Sequence, residues 1–207
     1  MSDAVLEHLR CSDPVLRGLI RKVGPCGWEP DPRRSPFQSL VQAVANQQLN
    51  GKAAATILGR FRALFPGRRF PRPADVGAVT DLQLRACGFS GAKIASIRDI
   101  AARALDGTIP TSRRIVGMSD EAIVECLTEA RGVGRWTVEM LLMFQLGRPD
   151  VLPSDDFGVR NGFRIAYGLD DLPKPKVVLE HGERWRPYRS TATWYLWRAV
   201  DLAKGAG

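Results

Sequence analysis

Two adjacent carboxylates, Asp155 and Asp156, stand between a proline-containing loop and an apolar segment of the sequence. A carboxylate held in a fixed place can stabilise positive charge that develops during a reaction. The same residues can also cap a helix, because acidic groups interact favourably with the positive end of the helix dipole. Taken alone, the pattern is more typical of a cap, so its meaning depends on the surrounding residues.

A short glycine turn, Gly132–Gly134, lies upstream of the carboxylates and opens another apolar segment. Glycine permits positive φ, and a tight turn at a helix N-terminus exposes amide N–H groups to an anion such as a phosphate. An ordinary connection between two helices has the same sequence pattern. A nucleotide-cradling loop is disfavoured, because no strand precedes the turn and neither G-x-G-x-x-G nor G-x-x-x-x-G-K-[ST] is present.

The charge of the chain favours a polyanionic partner. The formal net charge is +8 and the isoelectric point is about 9.8, so nucleic acid is the first candidate. The cysteines lie far apart, at Cys11, Cys26, Cys87 and Cys126, without the paired spacing of zinc or iron–sulfur sites. We therefore expect reduced thiols and no iron–sulfur cluster.

No uninterrupted apolar run approaches the roughly 20 residues of a membrane span, and the N-terminal "MSDAVLEHLR" lacks the order of a signal peptide. We expect a cytoplasmic protein, nuclear if the source is eukaryotic, that is a monomer without membrane contact.

Helix starts recur along the chain, whereas alternating β-branched runs are scarce. Ser12 or Asp13 before Pro14, and Ser35 before Pro36, are typical N-caps followed by proline in the first turn. A third helix follows from Gly51, and the proline-rich "PGRRFPRPADVGAV" indicates a surface loop. Helix–turn–helix pairs come next, one of them at about 119–147. The sequence therefore predicts an all-α protein.

Three ordered motifs resemble a known family. They are "SPFQSLVQAVANQQLNGKAA", then "GVGRWT" with "VLPS" and "DD" at the downstream spacing, and "WRPYRSTATWYLWRAVD". In this order they are similar to the helix-hairpin-helix (HhH-GPD) DNA glycosylases, and more specifically to the 3-methyladenine DNA glycosylase II branch. The matches run from about Ser35 to Leu202.

The resemblance implies a two-lobed helical bundle with a DNA-binding cleft between the lobes. Residues of about 35–115 would form the central lobe, and 1–34 with 116–207 the second. The implied function is base excision repair of double-stranded DNA, in which a monofunctional glycosylase hydrolyses the N-glycosidic bond of alkylated purines (3-methyladenine, 7-methylguanine) and leaves an abasic site. Two alternatives stay open: a glycosylase of the same superfamily for another lesion, and a non-catalytic helix-hairpin-helix DNA-binding protein.

Within the resemblance, Asp156 matches the family's essential aspartate, twenty residues after Trp136. Breaking an N-glycosidic bond develops positive charge on the deoxyribose, which a fixed anion stabilises. Trp136 stands where strand-cutting relatives carry a Schiff-base lysine, so no lyase activity is expected. Trp136, Trp197 and Phe157 are the implied base pocket, where an indole face would attract a cationic alkylated base. Core packing is the alternative for any one tryptophan.

The resemblance also implies a set of DNA contacts. Their residues lie in the hairpin, in the "QQ" segment and in the turn "GFSGAK": Gly132, Val133, Gly134, Arg135, Gln47, Gln48, Phe89, Ser90, Gly91 and Lys93. Phe89 is the bulky apolar residue available to fill the gap left by an extruded base, although burial under the turn is equally compatible with the sequence. No cofactor is expected to be required. A structural Na⁺ or K⁺ at the hairpin would be held by the carbonyls of Thr128, Ala130 and Val133.

Overall fold

The regular structure is helical throughout the part of the chain that the computed structural model describes, residues 3–205. The prediction of an all-α protein is confirmed. In chain order the helices are α1 (Asp3–Ser12), α2 (Pro14–Val23), α3 (Pro36–Asn46), α4 (Gly51–Ala63), α5 (Pro73–Val76), α6 (Asp81–Cys87), α7 (Gly91–Asp106), α8 (Ser112–Ile115), α9 (Asp120–Thr128), α10 (Arg135–Phe144), α11 (Phe157–Tyr167), α12 (Pro175–Gly182) and α13 (Arg189–Gly205), with a 3₁₀ turn at Glu183–Trp185.

The chain forms two compact units. The first unit contains the residues up to Pro30 together with those from Leu142 onward, and the second unit contains Asp31–Leu141. The boundary expected near residue 115 therefore lies inside α10 instead. The physical reason is that the hairpin region is tied to α7 of the second unit: the Arg131 amide donates to Asp99 (2.7 Å), and Arg103 pairs with Glu129 (2.9 Å).

In the first unit, α11 and α13 pack closely at Gly162. A Cβ at this position would lie 2.0 Å from the main-chain oxygen of Leu196, so only glycine permits this crossing. Around it lies a continuous apolar core, which α1, α2 and α12 complete. The largest fully buried side chains here are Trp185 and Tyr195.

A buried carboxylate, Asp13, joins the sequence-distant parts of the first unit. Of the two N-cap candidates, Ser12 and Asp13, it is Asp13 that caps α2, with its Oδ1 accepting from the amides of Val15 and Leu16. Its Oδ2 also accepts from Tyr167 Oη (2.5 Å) and Trp185 Nε1 (2.9 Å), and lies 3.0 Å from His181 Nε2. Burial opposes the charge, but these hydrogen bonds outweigh it and hold the pKa of Asp13 below its ordinary value.

The second unit is organised around α7, which packs against α3, α5 and α6. Its buried face includes Ile94, Ile97 and Ile100. Phe89, in the turn before α7, is only 3% exposed and packs edge-on against Phe61 at 5.6 Å between ring centroids. The proline-rich segment predicted to be a loop contains one short helix, α5.

None of the helices between residues 3 and 205 has the length and apolar character needed to cross a membrane. All four cysteines are free thiols, as their spacing predicted.

Candidate active site

Asp156 lies at the N-terminus of α11, where its own side chain is the cap. Its Oδ1 accepts from the Val159 amide at 2.7 Å and from the indole Nε1 of Trp197 at 3.0 Å. Asp155, in contrast, is exposed and is not the capping residue. The Val159 amide and the Trp197 indole thus fix the direction of the Asp156 carboxylate at the N-terminus of α11.

The loop that leads to Asp156, residues 148–155, is clamped by the start of α13. Arg189 donates to Asp150 in a bidentate arrangement, with distances of 2.7 and 3.0 Å, and its side chain is only 12% exposed. The hydroxyl of Ser190 accepts from the Val151 amide at 2.9 Å. The C-terminal motif "WRPYRS" therefore acts on the candidate site by holding this loop.

Trp197 is fixed by other aromatic residues. Phe144 stacks on its indole, with ring centroids 5.9 Å apart and planes at 18°, and Trp28 meets Phe144 edge-on at 6.2 Å. One face of Trp197 is therefore covered and its N–H is bonded to Asp156, a contact that the sequence did not predict. Phe157, the other pocket residue predicted in this unit, is 68% exposed.

Gly158 allows the close approach of Trp197 to Asp156. A Cβ on this glycine would lie 3.0 Å from both Cδ1 and Nε1 of Trp197, and 3.0 Å from Oδ1 of Asp156. Any larger side chain would displace the indole or the carboxylate.

In the second unit, the hairpin depends on one of its two glycines. Gly132 has φ +77°, and a Cβ there would lie 2.6 Å from the hydroxyl of Ser96. Gly134 is not among the glycines with positive φ, and no atom lies within 4 Å of such a Cβ, so of the two glycines only Gly132 uses the conformation that glycine permits. The amide of Val133 donates to Ala130 O (3.0 Å), and its side chain is buried. Within residues 3–205, the hairpin amides left for a phosphate are those of Gly132 and Gly134.

The first turn of α10 and the end of α3 enclose a cavity of about 460 Å³. Trp136 forms one wall and is 48% exposed. The rest of the lining combines apolar atoms with amide and hydroxyl groups and contains no charged side chain: Ala43, Asn46, Gln47, Gln48, Thr137 and Met140. The structure thus brings together the "QQ" segment and Trp136, which the sequence treated separately.

The turn between α3 and α4 contains an exposed apolar residue, Leu49, whereas Phe89 in the turn before α7 is buried. Gln48 has φ +58°, a conformation that non-glycine residues adopt rarely, and Leu49 after it is 39% exposed. Phe89 is buried against Phe61, which is the second of the two interpretations that the sequence left open for it. The sequence signal for Leu49 was present, as an apolar residue between a helix end and the N-cap Asn50.

Two of the predicted phosphate partners already have protein partners. Lys93 Nζ donates to the main-chain oxygens of Ala45 (2.9 Å) and Gln47 (2.7 Å), so it caps the end of α3. Arg135 forms a bidentate pair with Glu121 at 3.0 and 3.1 Å, which raises the pKa of its guanidinium. Ser90 caps α7 by accepting from the Lys93 amide, and Gly91 is the exposed first residue of that helix.

Comparison with known proteins places this geometry in a family. Residues 41–187 match the HhH-GPD superfamily of base excision DNA repair proteins. DNA-3-methyladenine glycosylase 1 of Schizosaccharomyces pombe is 41% identical over 95% of this chain and 86% of its own length. A solved structure of the S. pombe 3-methyladenine DNA glycosylase in complex with abasic DNA superposes with a TM-score of 0.85, at 40% identity over 97% of this chain and 98% of the other.

A DNA-3-methyladenine glycosidase from Bacillus halodurans gives a TM-score of 0.87 at 34% identity, covering 97% of this chain and 91% of that one. The matching residues include the hairpin and Asp156. The chain therefore belongs to the HhH-GPD superfamily of base excision DNA repair proteins, within its 3-methyladenine DNA glycosylase family.

Proposed function

We propose that the protein is a monofunctional DNA glycosylase that hydrolyses the N-glycosidic bond of alkylated purines, 3-methyladenine and 7-methylguanine, in double-stranded DNA. The observation that carries the proposal is the capped and indole-bonded carboxylate of Asp156 at the start of α11. The relative described as S. pombe DNA-3-methyladenine glycosylase 1 and the S. pombe 3-methyladenine DNA glycosylase solved with abasic DNA support it.

Asp156 would act as a fixed anion beside the deoxyribose. Alkylation at N3 of adenine or N7 of guanine makes the base cationic and weakens its bond to the sugar. As this bond breaks, its electron pair leaves with the base, and the positive charge moves to the anomeric carbon, where the carboxylate stabilises it. Water then adds to that carbon and loses a proton, which leaves an abasic site and a free base.

The positioning of Asp156 is the contribution of this chain's own residues. Trp197 and the Val159 amide hold its Oδ1, so the carboxylate needs little reorientation when charge develops. In the second unit, the indole of Trp136 forms a wall of a cavity without charged side chains, a surface that attracts a cationic ring by cation–π contact.

The absence of lyase activity is part of the proposal. Strand cleavage by this route needs an amine that forms a Schiff base with the sugar. Trp136 follows Arg135 in the first turn of α10 and stands where such a lysine would lie, and an indole cannot form that adduct. The expected product is therefore an intact strand with an abasic site.

Double-stranded DNA would be held by the hairpin and opened by the turn at Gln48 and Leu49. The amides of Gly132 and Gly134 suit a phosphate. Leu49 is exposed and apolar, as a residue that enters the base stack must be. We further propose that the protein acts as a monomer and that it needs no cofactor for the chemical step.

A structural Na⁺ or K⁺ at the hairpin fits the local chemistry. Thr128 ends α9, so its carbonyl lies at the negative end of the helix dipole, and the carbonyls of Ala130 and Val133 follow in the turn. When bound, such an ion would supply positive charge to a DNA phosphate. Within the described chain no cluster of His, Cys, Asp or Glu side chains could hold a metal ion, which leaves carbonyl oxygens as the donors.

The test is release of free base from methylated duplex DNA, measured by chromatography. Asp156→Asn keeps a good helix cap and removes the charge, so folding should be preserved while the excision rate falls about 10²–10³-fold. Asp155→Asn is the matched control and should excise at the wild-type rate. If Asp156→Asn released as much nucleobase as the wild type, the proposed role of the carboxylate would be excluded. If the wild-type protein cleaved the DNA strand without alkali treatment, the monofunctional assignment would be contradicted.

A further inference from the structure

The turn between α3 and α4 holds an unfavourable backbone conformation. Gln48 has φ +58°, and it is the only non-glycine residue with positive φ in the described part of the chain. Such a conformation is unfavourable for a residue that carries a side chain, and it persists only where its surroundings enforce it. The surroundings of this turn therefore have to contain the contacts that impose it.

Lys93 supplies one of these contacts. It lies in the first turn of α7, and its ammonium donates to Ala45 O and Gln47 O, at 2.9 and 2.7 Å. Ala45 lies in the last turn of α3 and Gln47 is its C-cap, where carbonyls lack partners within the helix. Lys93 is half-buried where it makes these bonds, and this burial lowers the pKa of its ammonium.

Gln47 connects the same turn to the hairpin. Its main-chain oxygen accepts from Lys93, and its side-chain Nε2 donates to Gly132 O at 2.9 Å. Gly132 in turn lies directly against Ser96 of α7. The turn and the hairpin are thus connected through one residue, and both rest on α7.

We propose that Lys93 and Gln47 are positioning residues that hold the Gln48–Leu49 turn in its left-handed form and connect it rigidly to the hairpin. Phosphate contact at the hairpin then places Leu49 at the base stack without a further folding step. The assignment rests on the proposed function, since it concerns how a damaged base is extruded. It also gives Lys93 a structural task in place of a phosphate contact.

A positioning role and a phosphate contact differ in their salt dependence. A lysine that neutralises a phosphate contributes about one unit to the slope of log K against log salt. Lys93→Met keeps the length of the side chain and removes the ammonium. We expect its binding to undamaged duplex to show the wild-type salt slope, whereas a slope reduced by about one would overturn the proposal.

A positioning role and a general loss of stability differ in their substrate dependence. Extrusion costs least when the lesion is already unpaired. We expect Lys93→Met to excise 3-methyladenine from a fully paired duplex about tenfold more slowly, the size of effect expected if one left-handed residue loses its support. Excision of the same lesion placed opposite an abasic spacer should change less than about threefold.

Further variants keep the test decisive. Lys93→Arg retains donors for the two carbonyls and should recover part of the rate on paired DNA. Gln47→Ala removes the bond to Gly132 and leaves the main-chain oxygen that accepts from Lys93 in place, so it can be used if Lys93→Met does not fold. Because Gln47 also lines the cavity beside Trp136, a loss of lining would slow both substrates equally, whereas a positioning role gives the same preference for the unpaired lesion. Lys22→Met, on α2 of the other unit, is the charge-matched control.

The results distinguish a failure of the proposed function from a failure of the positioning role. A wild-type protein that releases no base would contradict the proposed function. A wild-type protein that is active, together with Lys93→Met and Gln47→Ala variants that slow both substrates equally, would overturn the positioning role alone.

Discussion

Asp156 and the hairpin at Gly132 both precede a helix, yet they are fixed by different kinds of contact. Asp156 is held by a side chain from 41 residues away, the indole of Trp197, and its loop is held by Arg189 and Ser190. The hairpin is held through its main chain: Gly132 has φ +77°, its carbonyl oxygen accepts from Gln47 Nε2, and the Arg131 amide donates to Asp99. The carboxylate proposed to react is thus oriented by donors to its own side chain, whereas the hairpin proposed to bind DNA is fixed by bonds to its main-chain groups.

The largest effect is expected from removing the buried carboxylate of Asp13, which joins the side-chain network of the first unit. Asp13→Asn leaves Tyr167, Trp185 and His181 without their carboxylate. We expect a loss of about 3–5 kcal/mol in the free energy of unfolding, because a buried, hydrogen-bonded charge has been deleted from its partners. Urea denaturation measures it. Asp201→Asn, which breaks an exposed pair with Arg198, should cost less than about 1 kcal/mol.

The same carboxylate makes the free energy of unfolding depend on pH in the acidic range. The folded pKa of Asp13 is below its ordinary value of 3.8, so the unfolded chain binds the proton more readily. The contribution of Asp13 is therefore complete above that value and is lost as the pH falls below it towards the folded pKa. The stability difference between wild type and Asp13→Asn should shrink below pH 3.8, and a constant difference would show that the charge is not the cause.

Gly132 and Gly134 form a matched pair that tests how far the hairpin depends on its backbone conformation. Gly132→Ala introduces a Cβ at positive φ, 2.6 Å from Ser96, and should cost about 1–3 kcal/mol of stability along with affinity for DNA. Gly134→Ala meets nothing within 4 Å and should change stability by less than about 0.5 kcal/mol. Thermal unfolding of both variants measures the difference. Equal losses of stability would mean that Gly132 is not the glycine on which the hairpin conformation depends.

A smaller effect should follow from removing one donor to Asp156. Trp197→Phe keeps an aromatic ring against Phe144 but removes the N–H that holds Oδ1. We expect kcat to fall about tenfold with affinity for abasic DNA unchanged, because one oriented hydrogen bond to a charged group is lost. Trp194→Phe, which has no bond to Asp156 in the described contacts, is the control. An unchanged kcat would mean that the Trp197 N–H is not needed to orient the Asp156 carboxylate.

The smallest expected effect concerns the proposed hairpin cation. Replacing K⁺ and Na⁺ by a bulky organic cation at equal ionic strength should weaken DNA binding a few-fold, since an ion at the carbonyls of Thr128, Ala130 and Val133 would bridge to a phosphate. Fluorescence anisotropy with undamaged duplex measures it. An affinity independent of the cation would remove the ion from the proposal.

Local signals in the sequence predicted much of this structure. Ser35 before Pro36 and Asp13 before Pro14 cap their helices as expected, and the order of motifs placed Asp156 at a helix N-terminus. These features depend on neighbouring residues, whose types and spacing are visible directly.

The contacts that no local pattern predicted are those between distant residues. From the sequence alone, Lys93 is compatible with a solvated charge; its bond to the end of α3 is visible only in the structure. Likewise, the sequence indicates Asp13 as a helix cap, but not its contacts with Tyr167, His181 and Trp185. Phe89 had two compatible interpretations, and only packing against Phe61 decided between them. Such contacts follow from tertiary packing, which has no periodic signature in one sequence.

The crossing at Gly162 has a consequence for attempts to alter the range of bases that this protein excises. Leu196, whose carbonyl oxygen would touch any Cβ at position 162, immediately precedes Trp197. A methyl group added at 162 would push the last helix outward and draw the indole away from its carboxylate acceptor. Combinatorial libraries aimed at new lesions should therefore leave this glycine untouched and vary the wall around Trp136 instead.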